Sequence, residues 1–286
     1  MDNLKRILFE QGYSDSEGVF SLQNQPQVPA TDVDEFWSSL AEKNPIHAAA
    51  ASRTTDWFAK SPTWIYGQIS AEDQLWLDAG CGYGRVALPL LKNKSNLKLV
   101  GVDASRAMLK IFSSLVEKEP AGVLQSRLLL LHSMIHRLPF PEGTFDGIFS
   151  CAVLLHNPYS AVTGMIGEFH RLLKDGGRVI FSGSFPNLWN PEGLQNWVYS
   201  RWFTDPNANG PVRPYSQRQV VSLFADWKEV RILPSGAILI PRQIGKLRLP
   251  LGRWIGNING WMDKRTAGKN PRSSLWIQYY DVIARK

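Results

Sequence analysis

Short apolar runs alternate with helically spaced apolar residues between Leu75 and Ser184. This alternation is typical of a parallel sheet covered by crossover helices. A second, shorter series near the end of the chain adds a helix and two strands. The sequence therefore predicts an α/β sheet of seven strands with helices on both faces. The predicted strands are 76–77, 97–103, 127–131, 146–151, 177–182, 228–233 and 275–284, and the predicted helices are 85–91, 105–116, 161–173 and 215–224.

Three segments depart from this alternation. Residues 1–70 contain an apolar, partly helical stretch at 36–66, which predicts an N-terminal helical cover. Residues 185–215 are crowded with proline, asparagine and glycine, which is typical of an irregular insertion. Residues 234–274 form a second insertion. We therefore expect a cover at 1–70 and a main domain at 71–286, with a lid made from 185–215 and 234–274.

The composition fits a globular protein, since 44% of the 286 residues are hydrophobic and 20% are charged. Only two cysteines are present, which argues against a disulfide framework and a cysteine-rich zinc site. His47, His132, His136 and His170 show no ligand spacing, so no metal site is predicted. Because the first 20 residues mix charges with apolar residues, they do not resemble a signal peptide. We expect a soluble, cytoplasmic protein.

The positive charge of the chain is concentrated near its C-terminus. Residues 1–77 carry 11 acidic and 5 basic side chains, whereas residues 230–286 carry 2 acidic and 11 basic ones. Such a basic segment attracts an anionic substrate, nucleic acid or an anionic membrane surface. A solvated basic face that balances the acidic N-terminal region is the alternative.

A glycine-rich turn follows the first predicted strand of the main domain. Gly80, Gly82 and Gly84 allow a sharp turn and a close approach of the backbone to a ligand. A dinucleotide fingerprint has its third glycine where this chain has Arg85. Asp78 adds a carboxylate beside the turn, which repels a pyrophosphate but pairs with an amino-acid ammonium group.

A second carboxylate, Asp103, lies 19 residues beyond Gly84 at the end of the next predicted strand. A carboxylate at this position accepts hydrogen bonds from ribose hydroxyls, although Asp103 is also placed to cap the helix that begins near Ser105. An ammonium site and a ribose site together indicate S-adenosylmethionine.

At this point the sequence resembles a known family. Segments 78–84, 101–105 and 172–177 are similar to the motifs of class I S-adenosylmethionine-dependent methyltransferases. The run 138–146, Leu-Pro-Phe-Pro-Glu-Gly-Thr-Phe-Asp, resembles the branch that contains ubiquinone, menaquinone and many small-molecule methyltransferases. The resemblance implies a Rossmann-like, seven-stranded sheet with an antiparallel last strand. It also implies methyl transfer to an oxygen, nitrogen or carbon atom of a small aromatic or hydrophobic molecule.

The resemblance also implies roles for individual residues. The glycine turn would pass under the methionine part of the cofactor, Asp78 would face its ammonium group and Asp103 would bind its ribose. Met134 stands where the family usually carries an aspartate for the adenine amino group. His156 is the candidate catalytic residue, either as a base or as a residue that fixes its loop. The expected cofactor-binding residues are Asp78, Gly80, Cys81, Gly82, Gly84, Asp103, Ala104, Met108, Ser133, Met134, Ile135 and Cys151.

Several functions remain open at this level. The basic segment permits RNA methylation, but the sequence has no recognisable RNA-binding module and carries His-Asn-Pro-Tyr at 156–159 instead of Asn-Pro-Pro-Tyr. A lipid or quinone acceptor at an anionic membrane surface is a second alternative, and a non-catalytic S-adenosylmethionine-binding protein is a third. The eleven tryptophans form either aromatic walls for an acceptor or the core of the lid. The sequence specifies neither the acceptor nor the oligomeric state.

Overall fold

The computed structural model describes residues 1–22, 37–39, 41–42, 63–70, 72–119, 122–202, 212–237, 254, 257–258, 260–262 and 275–286, without the side chains of 199–202. The chain divides into two compact units. The first unit is Met1–Cys151, Tyr159–Ile180 and Arg285–Lys286, and the second is Ala152–Pro158 and Phe181–Ala284.

The first unit contains a sheet in the order β1-β2-β5-β4-β3-β6-β7. The neighbours from β2 through β5, β4 and β3 to β6 pair in parallel, whereas β1 and β2 form an antiparallel hairpin. Residues 63–68 are also helical. The named elements are α1 Asp2–Glu10, β1 Tyr13–Ser16, β2 Val19–Leu22, β3 Leu75–Ala79, α2 Ala87–Asn93, β4 Lys98–Asp103, α3 Arg106–Glu117, β5 Leu128–His132, β6 Phe145–Cys151, α4 Tyr159–Leu172 and β7 Leu173–Pro186, with a 3₁₀ turn at Gln125–Arg127.

The second unit contains the end of β7, from Phe181, in the strand order β7-β9-β8. Its core includes a cluster of aromatic rings, in which Phe185 packs edge-on against Tyr215 and Phe224. Asp281 is buried on β9 and accepts a hydrogen bond from the Gly183 amide at 2.8 Å, and burial raises its pKa to about 6. The elements are a 3₁₀ turn Leu154–His156, α5 Pro191–Trp202, α6 Gln217–Leu223, β8 Glu229–Ala237 and β9 Ile277–Arg285.

The predicted α/β class is confirmed, but the described residues form nine strands instead of seven. The two additional strands are the hairpin β1–β2, in a region predicted to be a helical cover. Its turn places Glu17 at φ 59° and Gly18 at φ 76°, and two consecutive residues with positive φ fit the right-handed twist of a hairpin. The hairpin was missed because its strands have four residues each and its turn lacks the usual Asn-Gly or Asp-Gly pair.

The expectation of irregular structure at 185–215 is wrong for residues 191–202, which form α5. Asn190 caps this helix, because its side-chain oxygen accepts a hydrogen bond from the Gly193 amide at 2.6 Å. Pro191 follows at the first helical position, where a missing N–H costs nothing. Residues that suggested an irregular loop therefore start a helix.

Much of the predicted cover and lid lies outside the described residues, including 43–62, 203–211, 238–253 and 263–274. The domain boundary at residue 70 and the lid assembled from two insertions stay predictions. In the described part of the chain, no helix has the length and apolar character needed to cross a bilayer.

Candidate functional site

The glycine turn after β3 has a backbone that other residues rarely adopt. Gly80, Gly82 and Gly84 have φ values of 81°, 52° and 83°, in the left-handed region that favours glycine. The amides of Gly80 and Cys81 both donate to the Val102 carbonyl, at 2.8 and 3.0 Å. The turn is thereby fixed to β4 at the carboxyl edge of the sheet.

Two glycines of this turn have opposite surroundings. A Cβ atom built on Gly84 would lie 2.3 Å from the Phe112 ring, whereas a Cβ atom on Gly82 meets nothing within 4 Å. Gly84 is therefore required for packing against α3. Gly82 borders open space, as expected for backbone that a ligand approaches closely.

We expect Gly82→Ala to weaken cofactor binding more than it weakens the fold. The positive φ costs the ligand-free protein about 1 kcal/mol, while the added methyl group occupies ligand space. Calorimetry with S-adenosylhomocysteine should show at least about a tenfold loss of affinity, equivalent to ~1.4 kcal/mol. The matched variant Gly84→Ala should lower the melting temperature further than Gly82→Ala. Unchanged affinity in Gly82→Ala would show that the open space does not receive the cofactor.

Asp78, on β3, is a buried carboxylate with an unsatisfied oxygen. Its side chain is 2% exposed, and its Oδ2 atom has no hydrogen-bond partner among the described residues. Burial raises the pKa of Asp78 well above its ordinary value, the negative charge of Asp103 raises it further, and the positive charge of Arg85 lowers it. A buried acceptor without a donor fits the ammonium group of an amino acid.

Asp103 ends the neighbouring strand β4 and bridges two loops. One carboxylate oxygen accepts from the Gly82 amide at 2.8 Å, and the other accepts from the Ser105 amide at 2.9 Å. Helix α3 is capped by Ser105, whose hydroxyl accepts from the Met108 amide at 3.3 Å. Asp103 thus fixes the glycine turn as well as the helix start.

An apolar surface flanks the start of α3. Met108 and Ala41 are buried and pack with the partly buried side chains of Trp37, Tyr83, Ala107 and Ile111. The Ser38 hydroxyl donates to the Ser105 hydroxyl at 2.9 Å, so described residues of the predicted cover contact this end of the site. Neither Trp37 nor Tyr83 was predicted to belong to the site, because their contacts cross from distant parts of the chain.

The segment after β5 lies next to the end of β4. The Ser133 amide donates to the Asp103 carbonyl at 3.1 Å, and its buried hydroxyl donates to the Met134 carbonyl at 3.3 Å. Ile135 is also buried, and His132 forms a hydrogen bond from its Nε2 atom to the Ala104 carbonyl at 2.9 Å. The structure therefore places Ser133 next to Asp103, and His132 next to Ala104. The role of these residues and of Met134 and Ile135 in binding the cofactor stays a prediction.

The two cysteines have different surroundings. Cys81 is buried, and both burial and the nearby carboxylates raise the pKa of its thiol, so it is a packed thiol instead of an activated nucleophile. Cys151, at the end of β6, accepts a hydrogen bond from the Arg85 guanidinium at 3.1 Å. Burial raises the pKa of the nearby Tyr66 phenol. The positive charge of Arg85 lowers this pKa, and the negative charges of Asp78 and Cys151 raise it. Sequence reasoning missed Arg85 and Tyr66, although Arg85 directly follows the glycine turn.

His156 belongs to the second unit, where it is buried at the end of the 3₁₀ turn after β6. This turn is fixed by the Arg213 amide, which donates to the Leu155 carbonyl at 2.8 Å. The catalytic role of His156 stays a prediction. Within the described ranges, no group of three or more histidine, cysteine, aspartate or glutamate side chains is arranged to hold a metal ion.

The fold and the site define a class of protein. Strands in the order β5-β4-β3-β6-β7 carry a glycine turn and two carboxylates at their carboxyl edge, the arrangement of nucleotide-type cofactor domains. Residues 77–177 match the family described as "Methyltransferase domain". This match supports a class I S-adenosylmethionine-dependent methyltransferase domain in this part of the chain, with S-adenosylmethionine as its cofactor.

Individual relatives agree with this family. The chain is 34% identical over 105 residues to demethylmenaquinone methyltransferase of Symbiobacterium thermophilum, covering 36% of this chain and 40% of the relative. It is 29% identical over 106 residues to sterol 24-C-methyltransferase of Pneumocystis carinii, covering 37% of this chain and 26% of the relative. The chain thus spans between about a quarter and two fifths of the length of these two curated relatives.

A solved structure extends the similarity of the fold. An S-adenosylmethionine-dependent methyltransferase of Thermotoga maritima, described as a possible histamine N-methyltransferase, matches 89% of this chain and 99% of its own, with a TM-score of 0.53 and 15% identity. At this identity the match concerns the fold alone.

Proposed function

We propose that the protein transfers a methyl group from S-adenosylmethionine to an oxygen, nitrogen or carbon atom of a small aromatic or hydrophobic molecule. The observation that carries this proposal is the buried, unsatisfied Oδ2 atom of Asp78 beside the glycine turn. It fits the cofactor because an amino-acid ammonium group supplies the missing donor. The open space at Gly82 fits as well, since a Cβ atom there would occupy it.

Each residue of the site has a defined task in this proposal. Asp78 holds the ammonium group, and Asp103 accepts the ribose hydroxyls while it fixes the Gly82 amide. When bound, the cofactor supplies a methyl group on a cationic sulfur, with S-adenosylhomocysteine as the leaving group. Because that leaving group is already good, the protein contributes mainly alignment of the acceptor and exclusion of water.

A labelling experiment tests the proposal. The purified protein is incubated with S-adenosylmethionine labelled in the methyl group and with fractionated cell extract. We expect label in the small-molecule fraction, and no label with the Asp78→Asn variant. Label that enters RNA or lipid would show that the acceptor is RNA or a lipid instead of a small aromatic or hydrophobic molecule. Tight cofactor binding without transfer to any fraction would support a non-catalytic binding protein.

We expect His156→Asn to lower the rate of transfer by about tenfold, less than is typical of general acid–base catalysis because the leaving group is good. The rate at which label enters the small-molecule fraction, measured against pH, checks this. If His156 is a base, the acidic limb of the profile should be lost in the variant. The exposed His136 provides the control, and the profile is repeated in Asp281→Asn because burial raises the pKa of Asp281 to about 6. An unchanged profile would leave His156 with a role in fixing the loop.

A lipid or quinone acceptor at a membrane surface is a second candidate. Trp189, Trp254 and Trp261 are each at least half exposed, and residues 230–286 carry 11 basic side chains against 2 acidic ones. Exposed tryptophans with basic residues favour an anionic bilayer surface. Co-sedimentation with vesicles of phosphatidylserine and phosphatidylcholine, lost in Trp254→Ala and Trp261→Ala, would support this candidate. No co-sedimentation would remove it.

A further inference from the structure

Adenine recognition in this chain lacks the acidic side chain that the motif pattern predicts, since Met134 occupies that position. The following inference rests on the proposed binding of S-adenosylmethionine. The amine, ribose and adenine of the cofactor are connected in that order. Asp78 on β3 and Asp103 on β4 fit the first two groups, and β5 is the next strand in the sheet. The adenine therefore extends toward the residues that follow β5.

Strand β5 ends at His132, whose Nε2 atom is hydrogen-bonded to the Ala104 carbonyl, and the next polar side chain is that of Ser133. It is 7% exposed, and its amide donates to the carbonyl of Asp103 at 3.1 Å, so it lies next to the ribose carboxylate. Its hydroxyl donates to the Met134 carbonyl at 3.3 Å. A hydroxyl oxygen that donates its proton in this way keeps lone pairs that accept further hydrogen bonds.

A second hydroxyl reaches the same place from the N-terminal hairpin. Tyr13 pairs with Leu22 at the end of β2, and β2 runs parallel to β5, with Phe20 opposite Leu131. Tyr13 therefore lies at the edge where β5 ends. Burial raises the pKa of the Tyr13 phenol, and an interaction with the Ser133 side chain lowers it by less, so the pKa stays above its ordinary value of 10.0. The hydroxyl consequently stays protonated at neutral pH, able to donate and to accept.

We propose that Tyr13 and Ser133 together recognise the amino group of the adenine, in place of the absent carboxylate. The adenine amino group donates hydrogen bonds, and hydroxyl oxygens accept them. A neutral acceptor also suits this site electrostatically. The negative charge of Asp103 already acts on the buried carboxyl of Asp78, and a third carboxylate would oppose ionisation of both.

Competition binding with two cofactor analogues tests this proposal. S-adenosylhomocysteine has the amino group, and S-inosylhomocysteine carries an oxygen in its place. We expect the protein to bind the adenosyl compound about tenfold more tightly. This factor corresponds to the upper end of what one neutral hydrogen bond contributes, or to two weaker ones. Tyr13→Phe and Ser133→Ala should each reduce this ratio to about threefold or less. Tyr159→Phe removes an exposed phenol at the start of α4 and should leave the ratio unchanged.

The ratio separates recognition from a structural role. Asp103→Asn should weaken both analogues equally, because both contain the ribose. If Tyr13→Phe and Ser133→Ala also weaken both equally, or leave the ratio as it is, the proposal is overturned. Should Tyr13→Phe lower the melting temperature too far for binding studies, Ser133→Ala decides the outcome.

The same measurements distinguish this inference from the proposed function. If the unmodified protein binds neither analogue, both proposals are wrong. If it binds both with a ratio that the two variants do not change, this inference alone is wrong. If the ratio falls as expected while no label is transferred to any acceptor, adenine recognition by Tyr13 and Ser133 is supported and methyl transfer is not.

Discussion

Replacing Asp103 by alanine should reduce the affinity for S-adenosylmethionine by about 100-fold or more. Two hydrogen bonds from ribose hydroxyls to a carboxylate contribute about 1.5–3 kcal/mol each, and about 2.7 kcal/mol corresponds to 100-fold. The variant also releases the Gly82 amide, which Asp103 holds at 2.8 Å. Calorimetry with S-adenosylmethionine and S-adenosylhomocysteine measures both effects together.

Two further variants separate ribose binding from support of the turn. Asp103→Asn keeps one oxygen acceptor and should lose about tenfold in affinity, which corresponds to ~1.4 kcal/mol. Asp226 is an exposed aspartate of the second unit, and Asp226→Ala should bind as the unmodified protein does. If Asp103→Ala binds the cofactor with an affinity within about threefold of that of the unmodified protein, Asp103 does not bind the ribose.

Asp78→Asn should abolish measurable cofactor binding and at the same time stabilise the ligand-free protein near neutral pH. Burial and the charge of Asp103 raise the pKa of Asp78 above its ordinary value of 3.8. The folded state therefore binds the proton more tightly than the unfolded state does. As a result, the free energy of unfolding falls as the pH rises from about 3.8 through the raised value. Asparagine cannot ionise, so the free energy of unfolding of the variant does not fall over this pH range.

Cofactor affinity should show the opposite pH dependence. An ammonium group pairs with the ionised form of Asp78, so affinity in the unmodified protein should fall as the pH falls through the raised pKa. The Asp78→Asn variant should lack this dependence. Thermal unfolding and calorimetry at several pH values measure the two effects, with Asp15→Asn on β1 as an exposed control. A ligand-free variant less stable than the unmodified protein at neutral pH would contradict the account of Asp78 as an unsatisfied buried acid.

The parts of the site that lie at strand ends could be predicted from the sequence. Gly80 to Gly84 follow one apolar run and Asp103 ends the next. In a parallel sheet, such positions meet at the same edge. Local spacing is therefore enough to place the turn beside the carboxylate, and the structure joins them through the Gly82 amide. The predicted helix after Asp103 also forms, with Ser105 as its cap.

The remaining features depend on contacts that sequence spacing does not contain. Tyr13 lies near the end of β5 only because the hairpin pairs with that strand. The Arg85 guanidinium contacts Cys151 across the ends of β3 and β6. Asn190 and Pro191 are compatible both with a loop and with the start of a helix. The hydrogen bond from the Gly193 amide to the Asn190 side chain shows that they start a helix. Long-range pairing and the choice between local alternatives account for what was missed.

The hairpin also has a consequence for solubility. Without it, β5 would present a row of unpaired backbone groups flanked by four leucines, an open template for strand addition by another molecule. With it, the outermost described strand on this side of the sheet is β1, which has four residues, Tyr-Ser-Asp-Ser, two of them exposed. Short, polar and negatively charged border strands discourage intermolecular pairing. The hairpin thus covers part of this side of the sheet against strand addition by another molecule.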